Sequence, residues 1–427
     1  MRLRISGGRV IDPAQGVDKV QDVYVAEGKI AALGKAPDGF TADREIVVRH
    51  QVVCPGLIDL CARLREPGQP HKATIASETA AAASAGITTL CCPPDTDPVI
   101  DTPAVVELIH HRAAQAGTAR ILPLGALTKG LAGNEIAEMM ALTETGCVAI
   151  SNAGRPVTNT LVMRRAMEYA ATHDLLLILR AQDYWLSHGG CAHEGKVSTR
   201  LGLPGIPESA ETAGLARDLL LIEQTGVRAH FGQLSTARAV QMIGRAQHDG
   251  LPVSADVSAH QLHLTEMDLG HFDSACHVSP PLRTLRDRDG LRKGLADGVI
   301  AVVCSDHQPH DPDAKLLPFT ETEPGISALE SLLPLTLRLV DEGVLSLTEA
   351  LARLTSQPAR ILGIEAGSLA IGKPADICIY DPDRYWALSA ATLISHGHNT
   401  PFLGWEFKGR VTHTLLGGRL VYVTDSQ

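Results

Sequence analysis

The chain has 427 residues, which is too long for one small domain and suits a large barrel with an accessory domain. Its formal net charge is −10, its pI is about 6.0 and it contains no basic block, so nucleic acids and anionic membranes are poor partners. The longest apolar runs, such as residues 175–179, are strand-sized and much shorter than the roughly 20 residues of a membrane-spanning helix.

The cysteine pattern indicates a reducing compartment. The nine cysteines are scattered, and most lie in apolar, strand-like runs. An odd number in such runs predicts reduced thiols in the core of a cytoplasmic protein. The N-terminal residues also lack the long apolar core of a signal peptide, which supports the same location. The cysteine positions are 54, 61, 91, 92, 147, 191, 276, 304 and 378.

Residues 1–54 predict short strands that are separated by turns. The candidate strands are Arg2–Ser6, Arg9–Ile11, Asp22–Ala26, Lys29–Leu33 and Glu45–Val48. They are too few for a sound sandwich by themselves, so this N-terminal part needs strands from elsewhere in the chain.

Residues 55–364 alternate short apolar runs with helical patterns. Near-continuous runs of aliphatic residues are typical of parallel strands that are covered by helices. Eight such strands followed by helices predict a (β/α)₈ TIM barrel. The strand candidates are 57–61, 86–93, 120–127, 147–151, 175–182, 228–235, 253–259 and 299–306. The helix candidates are Lys72–Ala85, Pro103–Gln115, Thr160–Thr172, Glu211–Gln224, Thr236–His248 and Arg286–Leu295.

Residues 365–427 again predict strands, at Ala375–Tyr380, Gly409–Leu416 and Arg419–Val423. These strands and those of residues 1–54 together suffice for one small β domain. We therefore predict a composite β-sandwich from both termini, with the barrel of residues 55–364 inserted between its halves.

Sequence motifs near the predicted strand ends carry a specific resemblance. The chain resembles the dihydroorotases of the amidohydrolase superfamily, in particular the longer bacterial type that is fused or bound to aspartate transcarbamoylase. The resemblance covers nearly the whole chain and implies the same barrel with a terminal β-sandwich. The motifs are Pro-Gly-Leu-Ile-Asp-Leu-Cys-Ala-Arg-Leu-Arg-Glu-Pro-Gly at 55–68, Gly-Ile-Thr-Thr-Leu-Cys-Cys-Pro-Pro-Asp-Thr-Asp at 86–97, His-Val-Ser-Pro-Pro-Leu-Arg at 277–283, Ser-Asp-His-Gln-Pro-His at 305–310 and Asn-Thr-Pro-Phe-Leu-Gly-Trp-Glu-Phe-Lys-Gly-Arg at 399–410.

The resemblance places two zinc-binding histidines on the first barrel strand, where this chain has Cys61 and Arg63. Residues 59, 61 and 63 should share one face, because strand side chains alternate. Zinc needs thiolate, imidazole or carboxylate lone pairs, and a guanidinium has none. Cys61 could still hold a metal, although a lone cysteine on a buried strand more often serves packing.

Three further ligand positions of the family are also changed. The family's bridging carboxylate or carboxylated lysine corresponds to Ala153, which follows Asn152 on the fourth strand. Arg180 and Gln233 stand where the resemblance places histidines on the fifth and sixth strands. His230 lies three residues before Gln233, so alternation predicts that it faces the opposite side and cannot substitute.

One acidic residue remains, and the substrate positions are altered as well. Asp306 matches the family's metal-binding and general-base aspartate, but one acid alone neither holds zinc nor activates water. Arg65 matches the arginine that binds the dihydroorotate carboxylate. Asp95 and Ser279 replace family asparagines, and Asp95 would repel that carboxylate. We therefore predict no metal, no cofactor and no catalytic residue, with Arg65, Asp95, Ser279 and Asp306 vestigial.

Charge balance gives the arginines a structural explanation. A barrel mouth that lacks metal ions would leave Asp59 and Asp306 as uncompensated buried carboxylates. The first and eighth strands are neighbours in a closed barrel, so Arg63 is expected to pair with Asp306, with Arg180 as a second replacement cation. The functional alternative is a cationic pocket formed by Arg63, Arg65 and Arg180 that binds an anionic metabolite.

The resulting functional prediction is a non-catalytic dihydroorotase homologue. The resemblance implies a partner, the catalytic subunit of aspartate transcarbamoylase, whose assembly and activity the chain would support, with the chain forming a homo-oligomer within that complex. Two alternatives stay open. One is an active dihydroorotase or related cyclic amidohydrolase with relocated metal ligands, and the other is an anion- or metabolite-binding module.

Overall fold

A computed structural model describes residues 2–424 of the chain. All eight predicted barrel strands are present in it. They pair in parallel in sequence order, and the barrel closes just beyond the first and last strands. There the Arg63 main-chain N–H donates to the His307 carbonyl at 2.9 Å, and the His307 N–H donates to the Cys61 carbonyl at 3.1 Å. This closure brings the first and eighth strand ends together, as predicted.

The barrel strands are β8 (Leu57–Asp59), β9 (Ile87–Cys92), β10 (Arg120–Ala126), β11 (Ala149–Ser151), β12 (Leu177–Leu179), β15 (Ala229–Phe231), β16 (Val253–Ser258) and β17 (Val302–Cys304). Two short strands between β12 and β15, β13 (Ala192–His193) and β14 (Gly205–Ile206), pair with each other outside the barrel. The strands before them are β1 (Arg2–Ser6), β2 (Arg9–Asp12), β3 (Val17–Val20), β4 (Val23–Ala26), β5 (Lys29–Leu33), β6 (Arg44–Val47) and β7 (Val52–Pro55). The strands after them are β18 (Ile377–Ala387), β19 (Glu406–Leu416) and β20 (Arg419–Val423).

Helices cover the outside of the barrel, and all six predicted helices are present within a few residues of the expected limits. The helices are α1 (Ile75–Ser84), α2 (Pro103–Ala116), α3 (Met139–Glu144), α4 (Thr160–Thr172), α5 (Tyr184–Ser187), α6 (Lys196–Leu201), α7 (Glu208–Thr225), α8 (Ala237–His248), α9 (Leu285–Ala296), α10 (Asp313–Leu316), α11 (Leu329–Asp341), α12 (Leu347–Leu354) and α13 (Ser356–Leu362).

Strands from the two ends of the chain share one sheet, as predicted. The six-stranded sheet has the order β20-β19-β18-β7-β2-β3, and β7 pairs antiparallel with β18. A second sheet, β5-β4-β1-β6, comes from the N-terminal part alone. Apolar side chains from both ends, among them Leu3, Val53 and Ile377, form a separate core cluster. The exact domain limits of 1–54, 55–364 and 365–427 stay a prediction.

The barrel interior has its own apolar cluster, which contains Ile58, Cys91, Leu124, Ile178 and Cys304 from different strands. All nine cysteines are free and buried. Within residues 2–424, the structure contains no helix that is both long enough and apolar enough to cross a membrane. The filled interior forms a base on which the side chains at the carboxyl ends of the strands are placed.

Candidate functional site at the barrel mouth

Arg63 joins two carboxylates at the mouth of the barrel. Its Nη1 lies 3.2 Å from Asp306 Oδ1, which confirms the predicted ion pair between the first and eighth strands. Its Nε lies 2.8 Å from Asp95 Oδ2, in the turn after β9. The Arg63 side chain is 11% exposed and that of Asp306 is 4% exposed. Both ion pairs are therefore largely withdrawn from water.

The electrostatics of this triad favour the charged forms of Arg63 and Asp95. Burial lowers the pKa of Arg63, but the Asp95 and Asp306 carboxylates outweigh it and raise that pKa above its ordinary value. Burial likewise raises the pKa of Asp95, and the Arg63 guanidinium more than offsets this and lowers it. Asp95, expected as a vestigial substrate residue, is thus an ionic partner of Arg63.

Cys61 lies beside this ion pair as a neutral thiol. Its Sγ is 3.5 Å from Asp306 Oδ1 and 3.9 Å from Arg63 Nη1. Burial and the Asp306 charge raise the pKa of the Cys61 thiol well above its usual range. The Gln308 side-chain amide also donates to Asp306 Oδ1, at 3.2 Å. Asp306 therefore accepts contacts from three neighbouring side chains.

Several residues at the strand ends have left-handed backbone conformations. The φ angles are +61° at Arg65, +50° at Ala153, +53° at Gln233 and +48° at Asp306. Such angles are uncommon for residues other than glycine and concentrate at functional sites. The loops of the mouth therefore have a strained backbone geometry at these four positions. Residue type alone gives no signal for this geometry.

The prediction that His230 faces away from the Gln233 side chain, and cannot substitute for a ligand there, stays a prediction. His230 lies inside the barrel, where its Nε2 is 2.9 Å from Asp256 Oδ2 and its Nδ1 is 2.8 Å from Ser254 Oγ. Asp256 is also contacted by the interior thiol of Cys304. Gln233 has a positive φ, which breaks the strict alternation on which the prediction depended. The Gln233 main-chain N–H donates to Asp256 Oδ1 at 2.6 Å, so His230 and Gln233 both contact one carboxylate.

Arg180 and Ser279 form a second polar group, separate from the ion-paired Arg63. Arg180 Nη2 donates to Ser279 Oγ at 2.7 Å. Gly154, which follows Ala153, lies directly beside the guanidinium, because a Cβ on Gly154 would be 2.9 Å from Arg180 Nη1. Among residues 2–424, Arg180 has no carboxylate within salt-bridge distance. The expectation of a charge-balancing replacement therefore holds for Arg63 but not for Arg180.

Arg65 is occupied by loop contacts. Its Nε donates to the Pro309 carbonyl at 2.9 Å, and its Nη2 lies 3.0 Å from His310 Nε2. Burial and the nearby Arg63 charge lower the pKa of Arg65 to about 10, so it remains a cation at neutral pH. Burial lowers the pKa of His310 to about 2, which keeps this ring neutral. Arg65 thus holds the loop after β17.

The remaining polar residues of the mouth are also engaged. Asn152 accepts a hydrogen bond from Thr128 Oγ1 at 2.7 Å and donates to the Arg155 carbonyl at 2.8 Å. His307 pairs its Nε2 with buried Glu78 at 2.8 Å and accepts from the Ala328 N–H at 3.0 Å. Both contacts fasten loops to the barrel.

The residues at the mouth do not fit the zinc site that the family resemblance implies. Two guanidinium groups and an uncharged thiol stand at ligand positions, and Asp306 is engaged by Arg63. Within residues 2–424, no group of three or more His, Cys, Asp and Glu side chains has the arrangement needed to hold a metal ion. The lone pairs that zinc requires are therefore missing from this donor set.

We expect protein purified without chelator and without a metal-affinity tag to carry much less than one zinc ion per chain. The reason is the replacement of ligands by Arg63 and Arg180, whose charges repel a dication. Inductively coupled plasma mass spectrometry measures the metal content, with Cys61→Ser as the matched variant. A stoichiometric zinc ion that disappears in Cys61→Ser would contradict this expectation.

Asp59 below the mouth makes stability depend on pH. Its carboxylate accepts from the Ser305 N–H at 2.9 Å and from the Ser305 hydroxyl. Burial raises the pKa of Asp59 to about 7. The unfolded chain loses this proton near pH 4, so the folded state binds more protons between about pH 4 and 7 and stability falls as pH rises through that window.

Asp59→Asn should therefore abolish the part of the fall in stability with rising pH that comes from Asp59. Relative to the wild type, the variant should gain at least about 1 kcal/mol of unfolding free energy between about pH 5 and pH 8, because Asn carries no ionisable proton. Urea unfolding at each pH measures the difference. Asp249→Asn, at an exposed carboxylate, is the control and should follow the wild-type profile. Parallel profiles for wild type and Asp59→Asn would refute the assignment.

Comparisons with known proteins agree on one family. The dihydro-orotase-like family model matches residues 50–239, and the amidohydrolase family model matches residues 245–422. A dihydroorotase-like protein from Pseudomonas putida is 51% identical over 422 residues, which is 99% of each chain. A dihydroorotase-like protein from Pseudomonas aeruginosa is 50% identical over 422 residues, covering 99% of this chain and 100% of the relative. A dihydroorotase from Syntrophotalea carbinolica is 44% identical over 423 residues, again 99% of each chain.

The fold also matches a solved hydantoinase structure. The L-hydantoinase (dihydropyrimidinase) from Arthrobacter aurescens has a TM-score of 0.88 and 22% identity, covering 100% of this chain and 98% of that one. At this identity the likeness concerns the fold alone. The barrel, the terminal sheets, the motifs at the mouth and the full-length relatives lead to one conclusion: this chain belongs to the dihydroorotase-like amidohydrolase family.

Proposed function

We propose that this chain is a non-catalytic dihydroorotase-like protein that supports the assembly and activity of aspartate transcarbamoylase in pyrimidine biosynthesis. The observation that carries the first half of the proposal is the position of Arg63, which bridges Asp95 and Asp306 at the closing point of the barrel. The second half rests on the family resemblance, which includes members bound to that transferase.

The chemistry of cyclic amide hydrolysis supports the absence of catalysis. That reaction needs a water made nucleophilic at neutral pH, which a metal ion or a general base supplies. Asp306 is the surviving family acid, and its Oδ1 accepts from Arg63 and from Gln308. This oxygen is therefore already engaged by a guanidinium and an amide and is not free to accept a proton from an attacking water. Neither route to an activated water is then available.

The purified chain should show no dihydroorotase turnover in either direction. Arg63→His should not restore activity, because one imidazole neither completes a metal site nor replaces Arg180 and Gln233. Formation and hydrolysis of dihydroorotate are assayed on protein from a host strain that lacks its own dihydroorotase. A turnover above background that tracks the purified chain would overturn the proposal and favour an active cyclic amidohydrolase with relocated ligands.

The partner is proposed from what the chain retains. The chain keeps the family fold over its full length, while the family's catalytic positions are replaced. We therefore infer that the chain acts through contacts of its outer surface with another protein. Two full-length relatives at 50% and 51% identity bear the name dihydroorotase-like protein rather than dihydroorotase. The catalytic subunit of aspartate transcarbamoylase is the proposed partner, with several copies of this chain in one cytoplasmic complex.

Copurification tests this association. A tagged copy of the chain, expressed from its own locus, should retain the transcarbamoylase through size-exclusion chromatography, and native mass spectrometry should give one assembly containing both chains. Retention of the transcarbamoylase should persist at physiological salt. Separate elution at physiological concentrations would remove the basis for the scaffolding role.

A further inference from the structure

Large apolar side chains are exposed on two loops at the mouth end of the barrel. One loop, residues 259–284, follows β16, and the other, residues 305–328, follows β17, so both lie at the carboxyl ends of the strands. Exposed apolar groups that lie close together mark sites at which another molecule docks. We call the following four side chains the rim patch: Met267, 61% exposed, Phe272, 48% exposed, Leu316, 78% exposed, and Leu317, 51% exposed.

Reciprocal hydrogen bonds join the two loops side by side. Ser274 Oγ donates to the Lys315 carbonyl at 2.8 Å, and Lys315 Nζ donates to the Ser274 carbonyl at 3.0 Å. Lys315 Nζ also donates to the Glu323 carbonyl at 2.6 Å, within its own loop. Phe272 lies two residues before this junction and Leu316 lies one residue after it. The two halves of the rim patch are therefore neighbours.

The backbone beneath the rim patch is already ordered. Phe272 has a φ angle of +67°, which is rare for a bulky side chain and persists only where the surrounding structure imposes it. In the second loop, the Phe319 ring stacks on His277 of the first loop, with ring centroids 4.8 Å apart. A surface that is ordered in advance loses less conformational entropy on binding. The rim patch is therefore suited to docking on a folded protein surface.

Negative charge surrounds the rim patch. Residues 266–273 and 311–323 contain seven acidic residues and a single lysine or arginine, Lys315. Lys315 is held by main-chain carbonyls, and burial lowers its pKa to about 8. Four of the acidic side chains are exposed and, within residues 2–424, have no cationic nitrogen at salt-bridge distance. They are Asp268, Asp273, Asp313 and Glu321.

This charge distinguishes between two kinds of occupant. Two copies of the chain that met at their rim patches would bring like charges together, which is unfavourable. A protein face with lysine or arginine side chains around apolar pockets would instead be attracted to the four unpaired acids. The charges therefore favour a basic partner over a second copy of this chain.

We propose that the rim patch and the four exposed acids around it form the docking surface for another protein, whose matching face is basic and contains apolar pockets. The apolar side chains of the patch fill those pockets, and the acids pair with lysine or arginine side chains at the edge of the contact. This inference rests on the proposed function, because it gives the surface through which the chain holds the transferase. It deepens that function by locating the contact on the loops after the seventh and eighth barrel strands.

Biolayer interferometry of the full-length chain against the purified catalytic subunit of aspartate transcarbamoylase from the same organism tests this surface. The double variant Leu316→Asp with Leu317→Asp should weaken binding at least about tenfold, because two apolar anchors become charged. Asp313→Lys with Glu321→Lys should weaken binding and reduce its dependence on sodium chloride, because charge attraction is screened by salt. The control is Leu220→Asp, at a leucine of α7 that is 61% exposed, which should bind as the wild type does.

Met267→Asp, a single change on the first loop, should also weaken binding and keeps the test informative should the double leucine variant fail to fold. If the wild type binds the transferase and all patch variants bind equally well, the docking surface is wrong and the proposed function stands. If the wild type does not bind at all, both are overturned. A patch variant that changes the native mass of the chain alone, without changing its affinity for the transferase, would assign the patch to a second copy and overturn this inference.

Discussion

Arg63→Ala should lower the free energy of unfolding by about 3 to 5 kcal/mol, the cost of removing one partner of a buried ion pair. The change leaves Asp95 and Asp306 facing each other without the cation that now lies between them, 2.8 Å and 3.2 Å from their oxygens. The Arg63 side chain is 11% exposed, so water replaces it poorly. Urea unfolding followed by circular dichroism measures the loss.

The electrostatic part of this loss of stability can be separated from the part that comes from lost packing contacts. Adding Asp95→Asn and Asp306→Asn to Arg63→Ala should recover most of the stability, because the two uncompensated carboxylates disappear. Arg245→Ala, at a surface arginine paired with Asp249, is the matched control and should change stability by about 0.5 kcal/mol or less. A loss below about 1 kcal/mol for Arg63→Ala would mean that the triad is not an electrostatic replacement for a metal.

The barrel was predictable because each strand is a short aliphatic run bounded by turn residues. Helix α11 was not predicted. Its segment contains Pro334, and proline is unfavourable in the interior of a helix, so the segment did not suggest one. Strand β3 was also missed. Three of its four residues are exposed and it pairs with β2 alone, so its sequence lacks the apolar alternation of a half-buried strand.

At the barrel mouth, the sequence predicted only those side-chain contacts that follow from the order of the strands. Arg63 and Asp306 could be paired because the first and eighth strands are neighbours in any closed eight-stranded barrel. The contact of Arg63 with Asp95 depends on the path of the turn after β9, which strand order leaves undetermined. The orientation of Gln233 relative to His230 depends on the positive φ at Gln233. That Arg180 makes no direct ion pair within residues 2–424 depends on which carboxylates other cations contact, and this is a property of the assembled site.

Deleting this chain from its host should abolish or strongly reduce the assembly and activity of aspartate transcarbamoylase and make growth depend on added pyrimidine. This outcome follows from the proposed scaffolding role, under which the transferase would lose the stabilisation that binding to this chain supplies. The measurements are transcarbamoylase activity in extracts, its native mass, and growth with and without uracil.

The decisive comparison is between deletion and point substitution at the mouth. Asp306→Asn removes the surviving family acid while keeping a hydrogen-bond acceptor beside Arg63, so a strain carrying it should assemble the transferase and grow as the wild type does. If growth depended on residual chemistry of the barrel, Asp306→Asn and the deletion would share one phenotype. A transferase that is fully assembled and active in the deletion strain would instead remove the scaffolding role, and an anion- or metabolite-binding module would then be the better proposal for what the chain contributes.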